Sequence, residues 1–173
     1  MIYCKEQAKK NSVNIENYVG IDPSVGMLEV ARGKVDYAEF IEGKAQKLPI
    51  ADESSDVISI SYGIRNVVDR VEALQEFNRV LKPNGIVMIL EFTKQDRSGV
   101  VDKVVDFGMK KVLPRVGGLI SKNYEAYKYL PESIEEFLTT DMLAEELEEA
   151  GFEMKYIKSF SMGISTLLVA QKK

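Results

Sequence analysis

Apolar and polar positions along this chain follow two rhythms. Short β-branched runs fall at residues 17–22, 38–43, 56–63 and 86–93, each bounded by acidic, glycine or turn residues, as strands are. The run at 56–63 reads most clearly as a buried strand, and 86–93 is apolar enough to predict burial on both faces. Between these runs the apolar positions recur every three or four residues. Met27, Leu28, Ala31 and Val35 share a stripe over residues 24–35, with Ser24 in the N-cap position. Val71, Leu74, Phe77, Asn78 and Leu81 share another over residues 69–83, and Asp69 with Glu72 has capping-box spacing. Pro83, Asn84 and Gly85 predict the stop of that helix.

The remaining segments complete the alternation. Residues 3–12 predict a short polar helix, and 44–55 a loop that contains Pro49. Val101, Val104, Val105, Gly108 and Val112 predict a helix over 100–114, and 115–138 is less regular. Residues 139–151 read as an acidic amphipathic helix stopped by Gly151, with Glu145, Glu146, Glu148 and Glu149 on a solvated face. Residues 152–163 and 164–173 read as an antiparallel pair turning at Gly163. Strand and helix alternating and then closing on a hairpin predict a doubly wound α/β sheet with an antiparallel edge.

Composition narrows the chemistry. A length of 173 residues fits one domain. The chain holds no histidine and one cysteine, Cys4. That removes histidine bases, an intramolecular disulfide framework and multi-cysteine zinc sites, and no metal-ligand spacing stands out. A net charge of −4 argues against a nucleic-acid partner. No apolar run approaches the ~18 residues of a membrane span, and residues 1–12 lack a signal-peptide core. We therefore expect a cytoplasmic protein.

Open parallel sheets bind ligands at the carboxyl ends of their strands, so those ends carry the candidates. Asp22 closes the first run: it has the chemistry to accept two ribose hydroxyls, and equally to complement a helix N-terminus. The loop 42–50 holds Ala45, small enough to let a flat ring approach the backbone; the alternative is a plain surface loop. Residues 61–66 end the third run, where Gly63 permits tight backbone geometry and Arg65 and Asn66 bring a cation and an amide. The alternative for Arg65 is an ion pair with a surface acid, Glu91 being one possible partner. Tyr124, Tyr127, Tyr129, Met109, Met142 and Met162 serve either an apolar pocket or the core. There is no phosphate loop and no GxGxxG.

Three stretches carry a resemblance: GIDPSVGML at 20–28, residues 44–67 ending in GIRNV, and RVLKPNGIVMILEF at 79–92. With YKYLPESI at 127–134 they resemble the ubiquinone/menaquinone biosynthesis C-methyltransferases, a family of S-adenosylmethionine-dependent methyltransferases with a Rossmann-like sheet. The resemblance runs from about residue 17 onward. It implies S-adenosylmethionine as cofactor and a polyprenylated quinol ring as acceptor of the methyl group. It implies that Asp22 binds the cofactor ribose, that Lys44 and Ala45 lie beside the adenine, and that Ser61 belongs to the cofactor pocket. It implies that Arg65 and Asn66 stand next to the substrate, in one crevice with Asp22.

Two departures from the family pattern bear on this. Lys44 stands where the family usually has Asn or Asp, and an ammonium cannot accept from the adenine amine. Backbone groups or Gln46 are the substitutes. The family's first strand and glycine-rich turn, which precede residue 1, are absent. That strand normally lies between those at 17–22 and 56–63, so two strands are left with unpaired edges. The expectation is therefore a single incomplete methyltransferase domain spanning 1–173, truncated at its N-terminus. It would repair its sheet by pairing across the gap or by homo-oligomerising through exposed edges. A lipid-tailed acceptor adds an expected transient membrane contact. The competing expectation is a catalytically inactive module of the same fold, used in binding or assembly; a dehydrogenase lacks its dinucleotide fingerprint.

Overall fold

Ser24 caps the first well-formed helix as its sequence position predicts: its Oγ accepts from the Met27 N–H at 3.4 Å, satisfying a donor that the first turn cannot. A computed structural model describes residues 2–94, 124–161 and 163–173, without the side chains of residues 2–4, 7 and 124–128. The predicted helix at 100–114 and the segment 115–123 lie outside the described residues, as do Met109 and Met162.

The chain forms two compact units, Met1–Ala51 and Asp52–Lys173. The first contains α1 (Ile2–Lys10), β1 (Val19–Asp22), α2 (Val25–Arg32) and β2 (Glu39–Glu42). Strands β1 and β2 pair in parallel, Val19 opposite Glu39 through Asp22 opposite Glu42. Helix α2 packs on both strands. Leu28 and Val35 are buried as the stripe predicts, but Met27 is exposed.

The second unit contains β3 (Ser55–Ser61), a 3-10 turn (Ile64–Asn66), α3 (Arg70–Val80), β4 (Leu81–Phe92), α4 (Tyr124–Glu135), α5 (Thr140–Glu149), β5 (Phe152–Phe160) and β6 (Ser165–Lys172). The sheet order is β3-β4-β6-β5. Strands β3 and β4 run parallel, and the other two pairings are antiparallel. The terminal hairpin turns at Gly163, whose φ of 86 suits glycine.

One face of this sheet carries the core. Val87, Ile89 and Glu91 of β4 stand opposite Ala170, Leu168 and Thr166 of β6, and all six are buried. Ala73, Leu74, Phe77 and Val80 of α3 and Leu143 and Leu147 of α5 complete it. Asp69 and Thr139 cap these helices, accepting from Glu72 N–H at 2.9 Å and Met142 N–H at 3.3 Å.

The structure corrects several expectations. Helix α3 ends at Val80, and the chain passes directly into β4. The Pro83-Asn84-Gly85 stop is a bulge inside that strand, since pairing jumps from Leu81 opposite Ser55 to Ile86 opposite Val57. Asn84 takes a φ of 64 there, and Gln171 and Lys172 of β6 donate to the bulge carbonyls of Asn84 and Leu81. Strand β4 is buried on its odd-numbered face and half-buried on the other. Strand β3 holds no buried residue, and Val57 is 54% exposed, because β3 has a strand neighbour on one side only among the described residues. Residues 124–135 of the less regular segment form α4.

The largest correction concerns the sheet. Among the described residues β1 pairs with β2 and β3 pairs with β4, and no ladder joins β1 to β3. Direct pairing across the gap is not seen among the described residues.

Candidate functional site

The two parallel pairs end in different units, so each carboxyl end is described by itself. In the first unit, Asp22 and Glu42 close β1 and β2 side by side. The Asp22 Oδ1 accepts from the Ser24 N–H at 2.8 Å, which makes Asp22 part of the turn into α2. This is the local role weighed against ribose binding. Oδ2 has no hydrogen bond among the described residues and keeps its capacity to accept.

Residues 43–47 lie beside Asp22. The Gly43 N–H donates to the Asp22 carbonyl at 3.3 Å, and the Lys47 N–H to the Lys44 carbonyl at 3.0 Å. A Cβ on Gly43 would stand 2.8 Å from Pro49 Cδ and 2.9 Å from Ile21 Cγ2, so only glycine allows this approach. The structure thus brings Asp22, Lys44 and Ala45 to one strand end. Lys44 is exposed and Ala45 half-buried. An acidic acceptor beside a tight loop with a small residue fits a ribose and a flat base.

In the second unit, Ser61 ends β3 and Tyr62 follows at a φ of 55. This left-handed position, rather than Gly63 at φ −123, makes the tight turn. Tyr62 is held on several sides. Its N–H donates to the Leu90 carbonyl at 2.8 Å, its hydroxyl meets Ser165 Oγ at 3.3 Å, and its ring centroid lies 4.5 Å from that of Phe92. The turn Ile64–Asn66 is pinned by Ile64, which is wholly buried.

Arg65 has a partner, and it is not a surface acid. Its Nη1 lies 2.5 Å from Glu91 Oε1, with 8% of the arginine side chain and none of the glutamate exposed. Glu91 also accepts from the Arg65 N–H at 3.3 Å and the Phe92 N–H at 2.8 Å. This buried carboxylate is satisfied by one guanidinium and two backbone donors, which is what burial of a charge requires. Arg65 Nη1 donates to the Tyr62 carbonyl and Nε to Ser133 Oγ, both at 3.3 Å. Its guanidinium carbon stands 5.5 Å from the Phe92 ring centroid.

Asn66 is exposed. The Tyr129 hydroxyl donates to its Oδ1 at 3.0 Å. Ser133 Oγ donates to the Leu130 carbonyl at 3.0 Å, so Tyr129 and Ser133 fasten α4 to the 61–66 turn. Of the pocket-or-core residues with described side chains, Tyr129 and Met142 are about half exposed and belong to no core. Glu146, expected on the solvated face, forms a two-pronged pair with Arg70 at 2.8 Å.

The sequence reading missed Ser133, the position of Tyr129, and a threonine cluster. Thr93 Oγ1 lies 3.1 Å from Thr140 Oγ1 and 3.2 Å from Thr166 Oγ1, with Thr93 and Thr166 fully buried. The i, i+4 spacing of Tyr129 and Ser133 in YKYLPESI was the available signal for the first two. Nothing in the sequence marks the threonines as neighbours. Among the described residues no group of His, Cys, Asp or Glu side chains is placed to hold a metal ion.

Solved structures define the class. The chain superposes on the putative methyltransferase of a Haloferax volcanii complex with the Trm112 activator at a TM-score of 0.69, covering 96% of this chain and 76% of that one at 16% identity. A SAM-dependent methyltransferase of Thermotoga maritima, a possible histamine N-methyltransferase, gives 0.64 over 96% and 76% at 22% identity. The fold is that of the class I S-adenosylmethionine-dependent methyltransferases. Residues 4–172 match the ubiE/COQ5 methyltransferase family, and the chain belongs to it. It is 53% identical to the ubiquinone/menaquinone biosynthesis C-methyltransferase UbiE of Campylobacter jejuni, over 97% of this chain and 72% of that protein. It is 39% identical to a demethylmenaquinone methyltransferase of Thermotoga maritima, over 86% and 64%.

Proposed function

We propose that this chain is an S-adenosylmethionine-dependent C-methyltransferase acting on a quinol precursor of ubiquinone or menaquinone. The observation that carries the reading is family membership across residues 4–172, joined to an acidic acceptor at the end of β1 and an ordered polar turn at the end of β3. When bound, S-adenosylmethionine supplies a methyl group on a positively charged sulfur. Asp22 Oδ2 accepts from the ribose hydroxyls, and the backbone of 43–45 takes the adenine, the Lys44 ammonium being unable to accept. Ser61, at the end of β3, is assigned to the cofactor on the family resemblance alone.

On the acceptor, a ring hydroxyl gives up its proton to water and a ring carbon becomes the nucleophile; once methylated, that carbon loses its own proton to water and the ring is restored. The negative charge that builds on oxygen needs donors already in place. Asn66 offers its amide there. Arg65, its charge matched by Glu91, holds the turn and presents Nη2 as a second donor. This arrangement needs no histidine.

The same reading makes the two compact units parts of one methyltransferase domain in the cytoplasm. No helix among the described residues is long and apolar enough to cross a membrane; a lipid-tailed acceptor calls for transient contact with a bilayer. The outer edges of β1 and β3 have no strand partner among the described residues, and we assign them to homo-oligomer contacts.

Calorimetric titration with S-adenosylmethionine tests the cofactor assignment. Binding in the micromolar range that weakens at least tenfold in Asp22→Ala is expected. The absence of heat at millimolar cofactor would favour the inactive module, to which the departure at Lys44 points.

A further inference from the structure

We infer that Arg65 recognises a single oxygen: Ser133 and Glu91 hold two of its guanidinium nitrogens, Nη2 alone is left to donate, and Ser133 is the positioning residue that fixes where Nη2 lies. The inference rests on reading the 61–66 turn as the acceptor side. A guanidinium carries five N–H donors and no acceptor, so chemistry sets the direction of every hydrogen bond it makes. Nε donates to Ser133 Oγ at 3.3 Å. Nη1 donates to Glu91 Oε1 at 2.5 Å and to the Tyr62 carbonyl at 3.3 Å. The serine oxygen can only accept from Nε, and its own proton goes to the Leu130 carbonyl at 3.0 Å, a group that cannot donate. Nη2 has no partner among the described residues and is not enclosed. Because the group is planar and rigid, tying Nε and Nη1 fixes Nη2 as well.

Arginine takes a carboxylate or phosphate with two parallel N–H groups, through Nε and Nη2 or through Nη1 and Nη2. Here each fork lacks one prong. The charge is matched already, since Glu91 is fully buried against it, and a further carboxylate would add an unmatched anion beside that pair. A ring hydroxyl asks for less. It brings one oxygen, and it gains from Nη2 as negative charge develops. The surroundings suit a ring, with the guanidinium carbon 5.5 Å from the Phe92 ring centroid and Tyr62, packed on Phe92, exposed. Ser133→Ala removes one oxygen and leaves the Arg65–Glu91 pair and the Tyr129 contact with Asn66 in place, so α4 stays docked.

The test titrates the full chain, carrying isotope-labelled arginine, with 2-naphthol and with 2-naphthoate, the same ring bearing one oxygen or a carboxylate. Arg65 resonances are identified with Arg65→Lys. The naphthol is expected to bind at least about tenfold more tightly, since the carboxylate finds no fork. In Ser133→Ala its affinity should fall roughly 3- to 10-fold, the worth of one hydrogen bond. Ser133→Thr, which keeps the hydroxyl, should restore it, and in an Arg65→Lys background Ser133→Ala should do nothing further. Naphthoate binding as tightly as naphthol, an unchanged affinity in Ser133→Ala, a Ser133→Thr chain as weak as Ser133→Ala, or an equal loss in the Arg65→Lys background overturns the inference. Binding of neither probe counts against the acceptor reading alone. The Arg65 Nε–H resonance then decides: it should move in Ser133→Ala, return in Ser133→Thr, and stay in place when millimolar acetate is added to the wild type. No movement in Ser133→Ala, no return in Ser133→Thr, or movement with acetate sinks the inference.

Discussion

Glu91 shows how burial changes the meaning of a residue pair. In the sequence, Arg65 and Glu91 are separate polar residues at two strand ends, and an ion pair between them would be a minor surface contact. In the structure the carboxylate is fully buried and the guanidinium nearly so, so removing either partner strands the other in a poor solvent. Glu91→Gln is expected to destabilise the chain by about 3 kcal/mol in urea denaturation, with activity falling as the 62–66 turn loosens. A loss below about 1 kcal/mol, the level of an exposed pair, would mean that the pair is not buried in solution. Asp22 works under milder conditions: one oxygen already serves the backbone of Ser24, and the other is left for the ribose contact proposed for it.

Helices here are set at their ends by caps and along their length by the sheet. Asp69 illustrates the first part, accepting from the Glu72 N–H at 2.9 Å. Asp69→Ala should cost about 1 kcal/mol, and an equal loss in Asp69→Ser would contradict capping as its role, since serine caps as well. The pairing of Arg70 with Glu146 ties α3 to α5, and its hydrogen bonds hold the Arg70 pKa above the ordinary arginine value despite burial. The bulge at 82–85 is also decided at this level. A helix stop and a bulge share the residues Pro, Asn and Gly, and the register jump against β3 together with the partners on β6, Gln171 and Lys172, distinguishes them.

Among the described residues β3 is a sheet edge of an unprotected kind. Strand β3 has neither proline nor lysine and one acid, Asp56, along Ser55–Ser61, whereas natural edges are usually blunted by such residues. Its Val57 is 54% exposed. We expect the chain to self-associate at micromolar concentration, and Val57→Lys to shift it toward monomer in light scattering after size exclusion. An identical mass for the two proteins would remove β3 from the contact.

Local chemistry alone determined a good deal. The period of the apolar residues located α2, α3 and α5, β-branched runs located β1 to β4, and Ser24, Asp69 and Thr139 carry capping side chains whose geometry needs no distant partner. The motifs GIRNV and YKYLPESI placed Arg65 and Asn66 at a strand end and pointed to the segment that holds Tyr129. What the tertiary structure decided is everything that depends on residues far apart in the chain. Burial of Glu91 against Arg65, the reach of Tyr129 across to Asn66, the threonine cluster of 93, 140 and 166, and the edge position of β3 all belong here. A strand's own pattern records which faces it could bury, but its neighbours decide whether it has any, and β3 has a neighbour on one side only among the described residues.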